Sequence, residues 1–105
     1  MDRIATFTSF IEQSPDDPFP RYGLAMEHRK QGDLEQAQTV FDELQRKFPE
    51  YVALYLMSGN NLHSLGRTED AAAMYRSGIE VCGRVGNSHA KGELAEALAE
   101  LGDSA

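Results

Sequence analysis

The sequence predicts an all-α protein: a right-handed superhelical solenoid of about six helices arranged in antiparallel pairs. Three observations predict it. The chain repeats itself every 34 residues, so that glycine at 32 returns at 66, alanine at 37 returns at 71, and aromatics stand at 7, 41 and 75. Apolar residues fall at helical spacing, as in Ala37, Val40, Phe41 and Leu44, and no segment shows the sustained alternation of a half-buried strand. Turn formers also keep the period, with Pro15, Pro49 and then Gly83 at corresponding places. A fixed period of this size marks stacked supersecondary units.

Each element can be justified in order. A helix over 2–14 carries Ile4, Phe7, Phe10 and Ile11, the pattern of the second helix of a preceding unit. Asp17 caps the next, over 18–31, with Pro18 at its first position and Leu24, Ala25 and His28 as its stripe. Gly32 can take the left-handed conformation that closes this helix, and Asp33 caps a third over 34–47, with Gln36 placed as in a capping box. A fourth helix over 52–65 repeats the stripe as Tyr55, Gly59 and Leu62. Gly66 followed by Thr68 repeats the stop and start, giving a fifth over 68–82 with Ala71, Met74, Tyr75 and Gly78 inward. The sixth, over 88–101, regains the stripe at Leu94-Ala95 and Leu98 once two extra residues are allowed in the loop from Cys82 to Asn87. Short connections make neighbouring helices antiparallel. Small residues set their approach, so Ala25 is expected to face Ala37, and Gly59 to face Ala71.

These marks form a motif. The first unit supplies Arg21, Leu24-Ala25, His28, Ala37-x-x-x-Phe41 and Pro49, and the second Tyr55, Ser58-Gly59, Leu62, Ala71-x-x-x-Tyr75 and Gly83. The sequence resembles the tetratricopeptide repeat family, in its small bacterial-type form, with two complete repeats over 18–51 and 52–85. Residues 1–17 would be an N-terminal half repeat and 86–105 a C-terminal capping helix, together one domain spanning 1–105. Departures are Arg21 and His28, where bulky apolar residues are usual, and Gly83 in place of proline.

Composition bounds the chemistry. The chain has 105 residues, a net charge of −7, one cysteine and no tryptophan. The single cysteine excludes an internal disulfide framework and fits a reducing, cytoplasmic setting. The first residues, MDRIATFTSFIEQ, lack the continuous apolar stretch of a signal peptide, and no apolar run is long enough for a bilayer. Acidity argues against nucleic acid and anionic membrane as partners. The excess is uneven, however: residues 1–17 and 86–105 each carry −3, whereas 18–85 carry only −1.

Catalytic signatures are missing from the sequence: it has no glycine-rich phosphate loop, no His-Glu-x-x-His and no nucleophile elbow. The expectation is therefore a protein that is not an enzyme and needs no cofactor or metal. Cys82, in the last turn of a helix, reads as a small buried hydrophobe. His28 reads as a core histidine with a hydrogen bond, His63 as exposed, and His89 lies near a helix start, without a ligand set around them.

What remains is a surface. The resemblance implies a concave groove lined by the first helix of each repeat, holding a peptide or a partner helix as an adaptor or scaffold would. Carried over to this sequence, the groove would be lined by Phe19, Tyr22, Met26, Arg29 and Lys30, followed by Ala53, Leu56, Met57, Asn60, His63 and Ser64. Helical spacing groups the first five independently, on a stripe apart from Leu24, Ala25 and His28. Some members of the family clamp the carboxylate of a chaperone tail with Lys and Asn, but Tyr22, Met26 and Met57 stand at those places here. An apolar floor with Arg29, Lys30 and His63 at its rim suits an apolar segment or amphipathic helix with an acidic flank. The alternative is self-association, a homodimer formed through the terminal half-repeat helices.

Overall fold

The computed structural model describes residues 2–103, which form six α-helices. They are α1 (Arg3–Gln13), α2 (Pro18–Lys30), α3 (Leu34–Lys47), α4 (Ala53–Ser64), α5 (Thr68–Val85) and α6 (Ser88–Asp103), each packed antiparallel to the next within its unit. The chain divides into two compact units, the first ending at Phe48 and the second beginning at Pro49.

The first unit holds α1, α2 and α3. Asp17 caps α2 through its side chain, accepting from the Phe19 amide at 3.0 Å, and Pro18 follows at the first helical position. At the other end Gly32 has φ +83°, so the Asp33 amide can turn back to the His28 carbonyl at 2.9 Å. Asp33 then caps α3, its carboxylate accepting from the Gln36 amide at 3.4 Å. Ala25, Ala37, Phe41 and Leu44 are fully buried where α2 meets α3. Every residue of α1 stays at least partly exposed, and Phe10 is 47% exposed.

The second unit holds α4, α5 and α6. Leu54, Tyr55, Ala71, Tyr75 and Leu94 build its core, with α4 touching both α5 and α6. Gly66 (φ +78°) repeats the turn of Gly32, again with the amide of the next residue, Arg67, bonded to a carbonyl five residues back, that of Leu62. Burial follows the expected stripes of α3, α4 and α5, with Met74 alone half-buried, whereas on α2 only Ala25 of the Leu24, Ala25 and His28 stripe is buried and the other two are half-buried.

Four local expectations fail, each for a physical reason. Thr68 does not cap α5: Arg67 holds the cap position without a side-chain cap bond and pairs instead with Asp70 at 2.8 Å. The fifth helix does not stop at Cys82 but runs through Gly83 to Val85, because proline is missing where it would break the ladder. Gly86, with φ +77°, ends it, so the two extra residues lengthen a helix rather than a loop. The inward stripe of α6 is Leu94 and Leu101 with Ala97 and Leu98 half-buried, whereas Ala95 is exposed. Finally, the space in front of Gly59 is filled by the ring of Tyr75, one turn beyond Ala71; a Cβ on Gly59 would lie 2.2 Å from that ring.

Candidate functional site

Two positions related by the 34-residue period show how α2 and α4 are each fixed within their units. In the first unit Arg21 is buried, and its guanidinium donates to the Pro15 carbonyl at 2.8 Å. Its Nε faces the Glu43 carboxylate at 3.5 Å, and the group lies 5.7 Å above the Phe48 ring. In the second unit the buried hydroxyl of Tyr55 donates to the Pro49 carbonyl. These anchors hold the ends of α2 and α4 against the loops before them, and so set which faces of those helices stay open.

On α2 the open face forms a cavity of about 450 Å³. Phe19, Tyr22, Met26 and Lys30 line it, so four of the five residues grouped from the sequence come together; Arg29 lies outside. Phe19 is 59% exposed, while Tyr22 and Met26 are half-buried. The opposite wall comes from Arg3 and Phe7 of α1, which the sequence did not offer as site residues. Phe7 leans on α2 because Gly23 has no side chain: a Cβ there would sit 2.3 Å from the ring. Glu27 closes the rim, its carboxylate mostly buried and 3.3 Å from the Arg3 guanidinium. The resulting site is an apolar floor between a cation–carboxylate pair and the free-standing charge of Lys30.

On α4 the arrangement is smaller and more polar. Asn60 and His63 line a cavity of about 160 Å³ with Tyr75, Ala97, Glu100 and Leu101, whereas Leu56 and Met57 lie outside it, half-buried on the same helix. The Tyr75 hydroxyl donates to Asn60 Oδ1 at 2.6 Å, holding that amide in place. Asn60 Nδ2 in turn points to the Met57 sulfur at 3.9 Å. Tyr75 and Glu100 are not legible as site residues in the sequence, because local spacing puts Tyr75 on the inward stripe of the fifth helix and Glu100 simply within the capping helix. The recurrence of aromatics at 7, 41 and 75 is the signal that could have found Phe7 and Tyr75.

The remaining reactive groups do not join these surfaces. Cys82 is buried in the second unit, and burial pushes its thiol above the ordinary range, with Lys91 offsetting this in part. His28 is mostly buried, its Nδ1 3.9 Å from the Asp33 carboxylate, and His89 is almost fully exposed, 3.7 Å from Glu93. Among the described residues no group of three or more His, Cys, Asp or Glu could hold a metal ion, and no helix is long and apolar enough to cross a membrane.

Helix pairs of fixed period, open on their first helices, define the class of helical-repeat protein-interaction folds. The chain belongs to the tetratricopeptide repeat family, whose sequence model matches residues 22–80. It is similar to a tetratricopeptide repeat domain protein from Salinibacter ruber, at 39% identity. The solution structure of that protein covers 83% of this chain and 88% of its own, with a TM-score of 0.79. A crystal structure from the same organism, also 39% identical, covers 81% and 96%, with a TM-score of 0.76. The TPR2B domain of yeast Sti1, in complex with pHsp70, shares the fold at 15% identity, covering 97% and 82% with a TM-score of 0.89. Among curated proteins none matches. Domains of this family are protein-interaction modules and are typically non-catalytic.

Proposed function

We propose that the chain is a non-catalytic adaptor that binds a peptide or partner helix on the open faces of its first helices. Phe19, Tyr22, Met26, Arg29 and Lys30 would contribute from α2, and Leu56, Met57, Asn60 and His63 from α4. The observation that carries the reading is the apolar cavity on α2. Phe19, Tyr22 and Met26 surround open space there instead of joining the Ala25 core. Exposed aromatic and methionine side chains in a cluster suit adaptable contact with a protein segment. Lys30 beside that floor favours an acidic flank on the ligand. The Sti1 domain, recorded with pHsp70, supports a protein ligand for this fold.

The test is affinity capture from native lysate with the wild type beside a Tyr22→Ala/Met57→Asp double variant. A partner retained by the wild type and lost from the folded variant supports the reading, and identical capture by both refutes it. A second reading, self-association, is favoured by the exposure of Phe10 on α1, whose counterparts Leu44 and Gly78 are covered, and of Ala95 on α6, whose counterparts Ala25 and Gly59 are covered. Light scattering across a concentration series separates the two, since a dimer that persists on dilution favours the second.

A further inference from the structure

The internal repeat indicates what belongs in the α2 cavity. A step of 68 residues carries Phe7 to Tyr75, and a step of 70 carries Leu24 to Leu94, Glu27 to Ala97 and Lys30 to Glu100. The pair α1–α2 therefore corresponds to the pair α5–α6. In the second unit that pair has a third helix on it: α4 touches both α5 and α6. Gly59 of α4 meets the Tyr75 ring, Asn60 accepts from the Tyr75 hydroxyl, and His63 lines the remaining space beside Glu100. With α4 in place, about 160 Å³ is left. At the corresponding place in the first unit no helix is present among the described residues, and the space is about 450 Å³.

We propose that the cavity between α1 and α2 receives an amphipathic α-helix from a partner protein, seated as α4 is seated on α5 and α6. The inference rests on the binding role proposed above and specifies the shape and chemistry of the ligand. The differences between the equivalent walls state the pattern. A small residue faces Phe7, as Gly59 faces Tyr75. The next residue is apolar, because Phe7 lacks the hydroxyl that Asn60 receives. A carboxylate stands one turn on, where α4 has His63, because Lys30 replaces Glu100. The partner thus reads small–apolar–x–x–acidic along one helical face.

The probe is a fluorescent hydrocarbon-stapled peptide of about four helical turns, carrying Ala-Leu-x-x-Glu, with an unstapled proline-interrupted peptide of equal composition as control. Fluorescence anisotropy should show saturable binding of the stapled helix. Lys30→Glu should weaken it about fivefold, as an exposed ion pair allows, and Glu→Lys in the peptide should restore it. Gly23→Ala should also weaken binding, since its Cβ displaces the Phe7 ring into the cavity, while circular dichroism reports an intact fold. No saturable binding overturns the proposal, and so does equal binding to wild type and Gly23→Ala. Equal binding of the proline control overturns the helical ligand. A dimer abolished by Gly23→Ala assigns the cavity to a second copy and overturns the partner helix. If the helix fails while the Tyr22→Ala/Met57→Asp variant still loses a captured partner, this inference falls and the adaptor reading stands.

Discussion

The two units solve one problem with different chemistry. Arg21 and Tyr55 stand 34 residues apart, and each donates to the carbonyl of a proline six residues earlier. Tyr55 brings a neutral hydroxyl on a ring that packs as core. Arg21 brings a charge, which is tolerable only because Glu43 faces it and Phe48 lies beneath it. One period later those two places hold Ser77 and Cys82, which offer neither a carboxylate nor a ring. A repeat thus conserves the position of a bond within the chain while the identity of the donor follows its local partners.

Reciprocal exchange is the sharpest way to break this comparison. Tyr55→Arg should cost about 3–5 kcal/mol, because it buries a charge without a counterion. Arg21→Tyr should change stability by about 1 kcal/mol or less, or raise it, since a phenol can reach the same carbonyl and Glu43 is half-exposed. Urea unfolding of both variants checks this; equal losses would show that the partners are irrelevant.

Next in size, Ala37→Leu and Ala71→Leu should each cost up to about 3 kcal/mol by overpacking a fully buried seam. An unchanged melting temperature in either would sink the shared register. Glycines should divide the units again. Gly59→Ala drives a Cβ against Tyr75, which is buried and tied to Asn60, and should cost about 1–3 kcal/mol. Gly23→Ala meets Phe7, a half-exposed ring with room to move, so a helix-propensity gain of about 1 kcal/mol should offset the displacement. Thermal melts of the two variants separate these outcomes.

The smallest effect lies at the starts of α3 and α5. Asp33→Ala removes a side-chain cap and should cost about 1 kcal/mol. Arg67→Ala, at the equivalent place, loses only an exposed pair with Asp70 and should cost about 0.5 kcal/mol or less. Comparable losses at both would mean that Arg67 contributes as much as a cap.

Much of this molecule was determined by the sequence alone. The period, the caps at Asp17 and Asp33, the stops at Gly32 and Gly66, and the buried stripes through Ala25, Phe41, Ala71 and Tyr75 all follow from local rules. Helix spacing and capping depend on residues within a few positions of one another, so a linear text records them. The same holds for the face of α2, where Phe19, Tyr22, Met26 and Lys30 do meet around one cavity. Only the tertiary structure decided what stands opposite them. Phe7 closes the cavity because Gly23, on another helix, gives its ring room. Glu100 joins Asn60 and His63 because α4 packs on α6. Such juxtapositions depend on how side chains from distant segments fill space, which local spacing does not encode. The lengthening of α5 to Gly86 belongs between the two cases. Its glycines were visible, but whether Gly83 or Gly86 would end the helix was settled by which of them took the left-handed turn.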